Sequence, residues 1–396
     1  MNLSTKILIA LGLGIIAGLQ LGAEGAAFAK AWIGPLGTIF LNLIKMVIVP
    51  LVFSSLVMGV CGLGDVKKLG RVGFKTVALY LVTTAFAIAL GIAFGVLVEP
   101  GAGLNMSTEG LKVTAKAAPP IMKVIIDIFP TNPLGAMVKA NMLQIILFAL
   151  FVGVGIVAVG EKAEALKNTI DGLAEVCYKM VAIIMSFAPF GVFGLITPVV
   201  AANGPAVLLP LLKVIICVYV GCVLHALIVY GTLISVLGGV SPVKFFKGIA
   251  PASLLAFSSC SSSGTLPLTM DCMRKMGVSQ SISSFVLPLG ATINMDGTAL
   301  YQGVCALFVA QIYGIELTGA QYMTIMLTGT LASIGTAGVP GAGFIMLTMI
   351  LTALGLPLEG SALIAGIDRI LDMPRTSVNV TGDAAVTMIV DKSENA

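Results

Sequence analysis

The chain has 396 residues, 58% of them hydrophobic and only 10% charged, with a formal net charge of +4 and a mean hydropathy of +1.07. Soluble domains are about 45–50% apolar and about 25% charged, so the composition excludes an ordinary water-soluble fold. The small net charge leaves no basic footprint for nucleic acid, and long apolar runs rather than short alternating ones predict an all-α polytopic membrane protein, not a β-barrel.

In chain order, apolar segments run over 5–23, 32–64, 73–98, 142–160, 171–200, 204–240, 279–312 and 361–390, which predicts eight transmembrane helices. The first follows Lys6 and precedes Ala27-Phe28-Ala29, an imitation of a secretory leader. In a chain with so many spans it is expected to stay as an uncleaved first helix. A helix rises about 1.5 Å per residue through hydrocarbon about 30 Å thick. Segment 32–64 must therefore tilt or bend, and Pro50 is the expected bend. Segment 171–200 is also long for one crossing. In the third span Tyr80, Thr83 and Thr84 stand at i, i+3 and i+4 and share a face. Such hydroxyls often bond their own backbone, so this patch alone carries little. His225, the single histidine, is expected to serve helix packing, since no second ligand stands near it in sequence. The seven cysteines form no CxxC and mostly lie in apolar runs, which predicts free buried thiols and neither disulfides nor a thiolate metal site.

With the N-terminus in the cytoplasm, the inner loops hold Lys67, Lys68, Arg71, Lys75, Lys162, Lys167, Lys244, Lys247, Arg274 and Lys275. The outer ones hold Lys30 and a few lysines in the 100–141 connection. The positive-inside rule favours this orientation, with both termini cytoplasmic. It requires that 250–276 and 325–350 each go in and return on the same side. Both are broken by Gly, Ser and Pro, in "SSCSSSGTLPLT" (258–269) and "ASIGTAGVPGAG" (332–343). Non-helical backbone survives at membrane depth only where protein or a watery cavity satisfies it. These segments are therefore expected to be re-entrant hairpins whose tips meet each other or a ligand. Hairpin plus polar-centred helix, twice and with opposite sense, is an inverted repeat, the pattern of a transporter with its site at the repeat interface.

The last span contains "GIDRILDMPRTSVNVTGD" (366–383), with five charged residues in an otherwise oily helix. At 100° per residue, Asp368, Asp372, Arg375, Asn379 and Asp383 fall within about 80° of arc, with Thr376 at its margin. A charge at the bilayer centre costs about 2.5–3.5 kcal/mol, so this stripe must face partners inside the protein. Asp368, Asp372 and Arg375 can satisfy each other as an i, i+4, i+7 ladder, but that does not account for Asn379 and Asp383. Pro374 frees the carbonyl of Ile370, which suits either a hard cation or a simple kink. In "TINMDGT", Asn294 and Asp296 are two positions apart and cannot share a helical face. An unwound turn helped by Gly297 would expose carbonyl, amide and carboxylate oxygens together, donors that suit a hard cation such as Na⁺.

The ordered motifs "SSSGTLP" (261–267), "NMDGTALYQG" (294–303), "GTAGVPGAG" (335–343) and "LDMPRTSVNVTGD" (371–383) make the chain resemble, over essentially its whole length, the glutamate/aspartate transporter family of dicarboxylate/amino acid:cation symporters. The likeness is to its prokaryotic sodium-coupled aspartate transporters. It implies a homotrimer in lipid, in the cell (inner) membrane. A scaffold of spans 1–2 (1–72) and 4–5 (100–200) would hold an elevator-type transport domain made of span 3 (73–99) and of 201–396, with span 6, both hairpins and spans 7 and 8. By the same resemblance, Arg375 clamps the substrate side-chain carboxylate and Asp372 accepts its amino group. Asn379 holds the α-carboxylate, with Thr298 and Thr376 as hydroxyl partners, and backbone around Ser261, Ser262, Val339 and Gly343 closes over the ligand. Three sodium sites are implied. One uses Gly290, Asn294, Asn379 and Asp383; a second Tyr80, Thr83, Thr84, Asn294 and Asp296; a third carbonyls of Thr292, Met295, Ser333, Ile334 and Thr336.

Three positions depart from the family pattern. Cys260 stands where close prokaryotic relatives often carry arginine, and Arg369 either replaces that charge beside Asp368 and Asp372 or bonds a hairpin carbonyl. Pro374 stands in place of Gly. Gln302 stands where animal members have a glutamate linked to proton movement. The expected activity is secondary active uptake of L-aspartate and/or L-glutamate with Na⁺; the alternative is a proton-coupled glutamate or C4-dicarboxylate symporter of the same fold. Arg375 argues against neutral substrates and Asp372 against one without an amine. An intramembrane hydrolase would need a base beside its serine, and His225 lies in a different span.

Overall fold

The computed structural model describes residues 3–62, 66–104, 106, 126, 129–139, 141–334, 338 and 341–395. Thr336, Val339 and three lysines of the 100–141 connection lie outside the described residues. Among those described there is no strand. The chain opens with α1 (Leu3–Phe28), a π turn, α2 (Gly34–Gly62) and α3 (Val66–Val98). Pro50 is accommodated inside α2 without ending it. After α4 (Pro133–Val138) and α5 (Met142–Val159), the predicted fifth span proves to be two helices, α6 (Glu164–Ser186) and α7 (Ala188–Asn203). The break at Phe187 follows from Pro189, which has no N–H for the carbonyl four residues back and is tolerated only in a first turn.

Next come α8 (Leu208–Leu224), whose path continues through π turns at His225–Tyr230 and Ile234–Gly238, and a helical hairpin of α9 (Pro242–Ser259) and α10 (Ser262–Lys275). The seventh predicted span is interrupted, as α11 (Gln280–Ile293) and α12 (Asp296–Ile312). A second hairpin, α13 (Gly319–Ala332) and α14 (Ala342–Leu354), precedes α15 (Ser361–Asn395). Among the described residues four stretches, Thr5–Phe40, Arg71–Val98, Gln144–Ile184 and Gly204–Gly238, are long and apolar enough to cross a membrane by length and composition.

Packing follows composition. α1 lies along α7, and α2 meets α5, α6 and α7. α3 lies along α12 and α13, while α15 touches α8, α9, α11 and α12. The α3–α12 seam is made by small residues: a Cβ on Gly303 would come within 2.8 Å of the Ile92 nitrogen. Asp296–Ala310 of α12 and Ala342–Leu351 of α14 are buried throughout, so these helices sit at the centre. Trp32, Phe74, Leu97 and Phe151 are among the large apolar side chains left on the outside, as a lipid-facing surface requires. All seven cysteines are buried and free.

At one end of the molecule Glu394 of α15 accepts from Arg71 (2.6 Å) and Lys75 (2.7 Å) of α3. Hydrogen bonds from Arg71 and then Lys75 push its carboxyl down to about 2. A depressed carboxyl stabilises the fold above its unfolded value, near 4.3, and loses that contribution as pH falls toward 2. Glu394→Gln is expected to lower the thermal midpoint of detergent-solubilised protein slightly at pH 7, the effect being small because the pair is near the surface. The gap from wild type should narrow as pH drops from about 4.3 toward 2. A gap that does not change with pH would remove charge from the explanation.

Candidate functional site

The predicted stripe on α15 turns wholly inward. Arg375 has no exposed side-chain surface, and Asp368, Asp372, Thr376, Asn379 and Asp383 are all buried. Arg375 Nη1 donates to Asp368 Oδ1 and Nη2 to Asp372 Oδ1, each at 2.8 Å. The guanidinium lies 4.0 Å from the centroid of the Tyr301 ring, a cation–π contact from α12. Its Nε has no hydrogen-bond partner among the described residues. The ion-pair ladder is therefore present, and it leaves the arginine Nε–H unused among the described residues. Thr376 Oγ1 donates to Asp372 Oδ1 at 3.3 Å, and the Gly341 N–H of the second hairpin reaches Asp372 Oδ2 at 3.4 Å.

The turn between α11 and α12 is unwound at Asn294 (φ −91°, ψ 95°) and Met295 (φ −120°, ψ 45°). This frees Asn294 from the helical pattern and aims it at α15. Its Nδ2 donates to the Asn379 carbonyl (3.0 Å) and to Asp383 Oδ1 (2.9 Å). Its Oδ1 is buried and has no hydrogen-bond partner among the described residues. The Gly297 N–H donates to Asn379 Oδ1 at 2.8 Å, while Asn379 Nδ2 lies 3.4 Å from Thr298 Oγ1. A Cβ on Gly290 would sit 2.5 Å from both Asp383 Oδ1 and Tyr80 Oη, so these three positions converge.

The two hairpin tips touch. Ser261 caps α10, accepting from the Gly264 N–H at 3.0 Å, and its hydroxyl donates to the Gly338 carbonyl at 3.0 Å. The Ser263 N–H reaches the same carbonyl at 3.3 Å. Cys260 turns the chain in the left-handed region (φ 54°). Beneath the tips lies a void of about 10 Å³ whose lining includes Cys260, Ser262, Thr298, Gly343, Asp372, Thr376 and Asn379. That is room for about one water.

The described residues among those foreseen for substrate thus gather around one point; Val339 lies outside the described residues. The first cation set, Gly290, Asn294, Asn379 and Asp383, also gathers. The second does so in part: Thr84 Oγ1 donates to Asp296 Oδ1 at 2.6 Å, but Thr83 bonds the Tyr80 carbonyl and Tyr80 Oη the Val286 carbonyl. In the third set Thr292 Oγ1 bonds the Leu289 carbonyl and Ser333 Oγ the Thr330 carbonyl, with Ser333 and Ile334 ending α13.

One expectation is corrected. His225 does not merely pack between helices, because its Nε2 lies 3.2 Å from Asp296 Oδ2. His225 and Tyr230 bound the π turn that follows α8, and both side chains meet the start of α12. Tyr230 Oη donates to the same oxygen at 2.6 Å. Tyr230 and Tyr301 had no signal in the periodicity, because a tyrosine in a membrane helix does not show by spacing which partner its hydroxyl or ring will meet. Arg369 resolves its two alternatives by bonding the hairpin: its Nη2 is 3.3 Å from the Ser259 carbonyl and 3.5 Å from that of Ser258. The carbonyl freed by Pro374 accepts from Tyr219 Oη at 3.1 Å.

Carboxylate, amide, hydroxyl and carbonyl oxygens, with one buried guanidinium, make a constellation for a small charged solute and a hard cation. Comparison with known proteins agrees. Residues 3–393 match the model of the sodium:dicarboxylate symporter family. A proton/sodium-glutamate symport protein of Bacillus caldotenax is 39% identical over 99% of this chain and 94% of its own length. A proton/glutamate-aspartate symporter of Escherichia coli (strain K12) is 38% identical over 100% and 93%, and a C4-dicarboxylate transport protein of Bacillus subtilis (strain 168) is 35% identical over 100% and 94%. With a match running from one end to the other and a buried charged site at its centre, the chain belongs to the sodium:dicarboxylate symporter family, and it is a membrane transporter, not an enzyme.

Proposed function

We propose that this transporter takes up L-aspartate and/or L-glutamate with Na⁺. The observation that carries the proposal is the wholly buried Arg375, its Nε unpartnered among the described residues, beside a void lined by Asp372, Thr376, Asn379 and Thr298. A guanidinium fork matches a carboxylate bidentately. The substrate side-chain carboxylate takes Arg375 in competition with Asp368 and Asp372. As the ladder loosens, Asp372 becomes free to accept the ammonium group. Asn379 holds the α-carboxylate, with Thr298 and Thr376 as hydroxyl partners. Backbone around Ser261, Ser262, Val339 and Gly343 closes the site. A void of about 10 Å³ admits no amino acid, so the second hairpin tip has to lift first.

Sodium is cargo here. Asn294 Oδ1, a buried acceptor beside Asp383 without a donor among the described residues, fits a cation, as do the carbonyls of Gly290 and Asn379. Asp296 with Tyr80, Thr83, Thr84 and Asn294 forms the second set, and carbonyls of Thr292, Met295, Ser333, Ile334 and Thr336 the third. Buried carboxylates are tolerable in low dielectric only when paired, so cation and substrate bind as a unit and each raises the affinity of the other. The packing of α1, α2, α5, α6 and α7 on one another, and of α3 and α8–α15 on one another, supports a scaffold of 1–72 and 100–200 and a transport domain of 73–99 and 201–396. We place the protein in the cell membrane as a homotrimer with eight spans, two re-entrant hairpins, cytoplasmic termini and an elevator motion.

A second reading, a proton-coupled glutamate or C4-dicarboxylate symporter, is favoured by Asp296, which already holds hydrogen bonds from Thr84 and Tyr230 and faces His225. The relatives' names include both. Uptake of labelled aspartate into proteoliposomes, with sodium, proton and potassium gradients imposed separately, decides between them. Accumulation is expected with an inward sodium gradient alone. Equal accumulation when choline replaces sodium would overturn the sodium reading, and accumulation of succinate but not aspartate would overturn the substrate.

A further inference from the structure

We infer that Tyr219 is a positioning residue for the substrate clamp, its hydroxyl standing in for the backbone donor that Pro374 removes. In an uninterrupted helix the carbonyl of Ile370 accepts from the N–H of residue 374. Proline has none, and its ring crowds that carbonyl. Inside a membrane protein an unsatisfied carbonyl finds no water to replace the lost bond. Here the donor comes from α8, 151 positions away in the chain, where Tyr219 Oη lies 3.1 Å from the Ile370 oxygen.

The location of that bond gives it consequence. Ile370 lies midway between Asp368 and Asp372, and both of these accept from Arg375, the residue after Pro374. The carbonyl held by Tyr219 therefore belongs to the turn that the two carboxylates and the guanidinium close around. The same turn is tied to the first hairpin from another side, because Arg369 donates to the Ser259 carbonyl at 3.3 Å. Tyr219 joins both ties. Its ring meets the edge of Phe257 near the end of α9, with centroids 6.5 Å apart and planes at 82°. One side chain thus spans α8, the hairpin arm and the proline break. Letting that turn shift would move Asp368 and Asp372 against Arg375, and small misplacements of such groups are costly.

The inference rests on the proposal that Arg375 and Asp372 hold an acidic amino acid, and it has a specific signature: the Tyr219 hydroxyl matters only while residue 374 lacks an N–H. Wild type, Tyr219→Phe, Pro374→Ala and the double variant form a cycle. In proteoliposomes, Tyr219→Phe is expected to raise the KM for aspartate roughly 3- to 30-fold, inside the span of coupling found within one hydrogen-bonded network. In the Pro374→Ala background, where the helix supplies its own donor, the same change should shift KM less than about twofold. Thermal midpoints in detergent should follow the same pattern. A penalty of equal size in both backgrounds, or none beside proline, overturns the inference. If Tyr219→Phe fails to fold while the double variant folds, the inference stands; if neither folds, it falls. Wild type that accumulates no acidic amino acid would sink the functional proposal instead, and the midpoint cycle would still report the Tyr219–Pro374 coupling.

Discussion

Arg375→Ala is expected to abolish measurable uptake of acidic amino acids, lowering kcat/KM about 10³-fold. Truncating one partner of a buried, hydrogen-bonded charge pair costs about 2–5 kcal/mol, which converts to roughly 30- to 5,000-fold. The upper part of that range applies because the residue has no exposed surface and its guanidinium serves two carboxylates and the Tyr301 face at once. Two effects combine: the substrate loses its clamp, and Asp368 and Asp372 are left as neighbouring buried carboxylates without a cation. The second effect lowers stability as well, by about 3–5 kcal/mol when a buried pair is broken. Arg375→Lys separates them, since it keeps a positive charge and removes the planar fork. The lysine variant should therefore fold nearly as well as wild type yet transport poorly. Initial uptake rates against aspartate concentration, read together with thermal midpoints, check both statements. Uptake that survives Arg375→Ala would move the substrate site elsewhere.

Asp383→Asn is expected to raise the sodium concentration for half-maximal uptake about 100-fold, while the maximal rate recovers in part at saturating sodium. The figure corresponds to about 2.7 kcal/mol for removing one anionic oxygen from a buried cation site. The substitution is close to isosteric, and an amide oxygen at position 383 can still accept from Asn294 Nδ2, now at 2.9 Å from Asp383 Oδ1, so the local packing has a means to persist. Because linkage is reciprocal, aspartate affinity should fall at low sodium and return at high sodium. Sodium titrations of uptake at several aspartate concentrations test this. An unchanged sodium dependence would exclude Asp383 from the cation site. A change that appears only in the pH dependence would favour proton coupling.

Within single helices, much of this site was legible from sequence. The 3.6-residue period put Asp368, Asp372, Arg375, Asn379 and Asp383 on one stripe, and the cost of charge in hydrocarbon required that stripe to be buried, which it is. The two-residue spacing of Asn294 and Asp296 keeps them off one helical face, an unwound turn would bring their oxygens together, and the backbone is unwound there. The Ser and Gly cluster at 258–264 marked the turn where the first hairpin reverses. These features are local, because propensity, periodicity and the missing proline N–H act over a few residues.

Contacts between helices were decided by the tertiary structure. His225 and Tyr230 reach Asp296 across 71 and 66 positions, Tyr301 lies against Arg375, and Tyr219 reaches Ile370 across 151. For each of these side chains no period reveals which neighbour on another helix it will face. The π turns of α8 and the break at Phe187 were likewise unmarked by hydropathy. Sequence determined which face of each helix had to find a partner. Packing alone determined which partner it found, because the close fit of one helix on another is a property of both surfaces together and of neither segment read by itself.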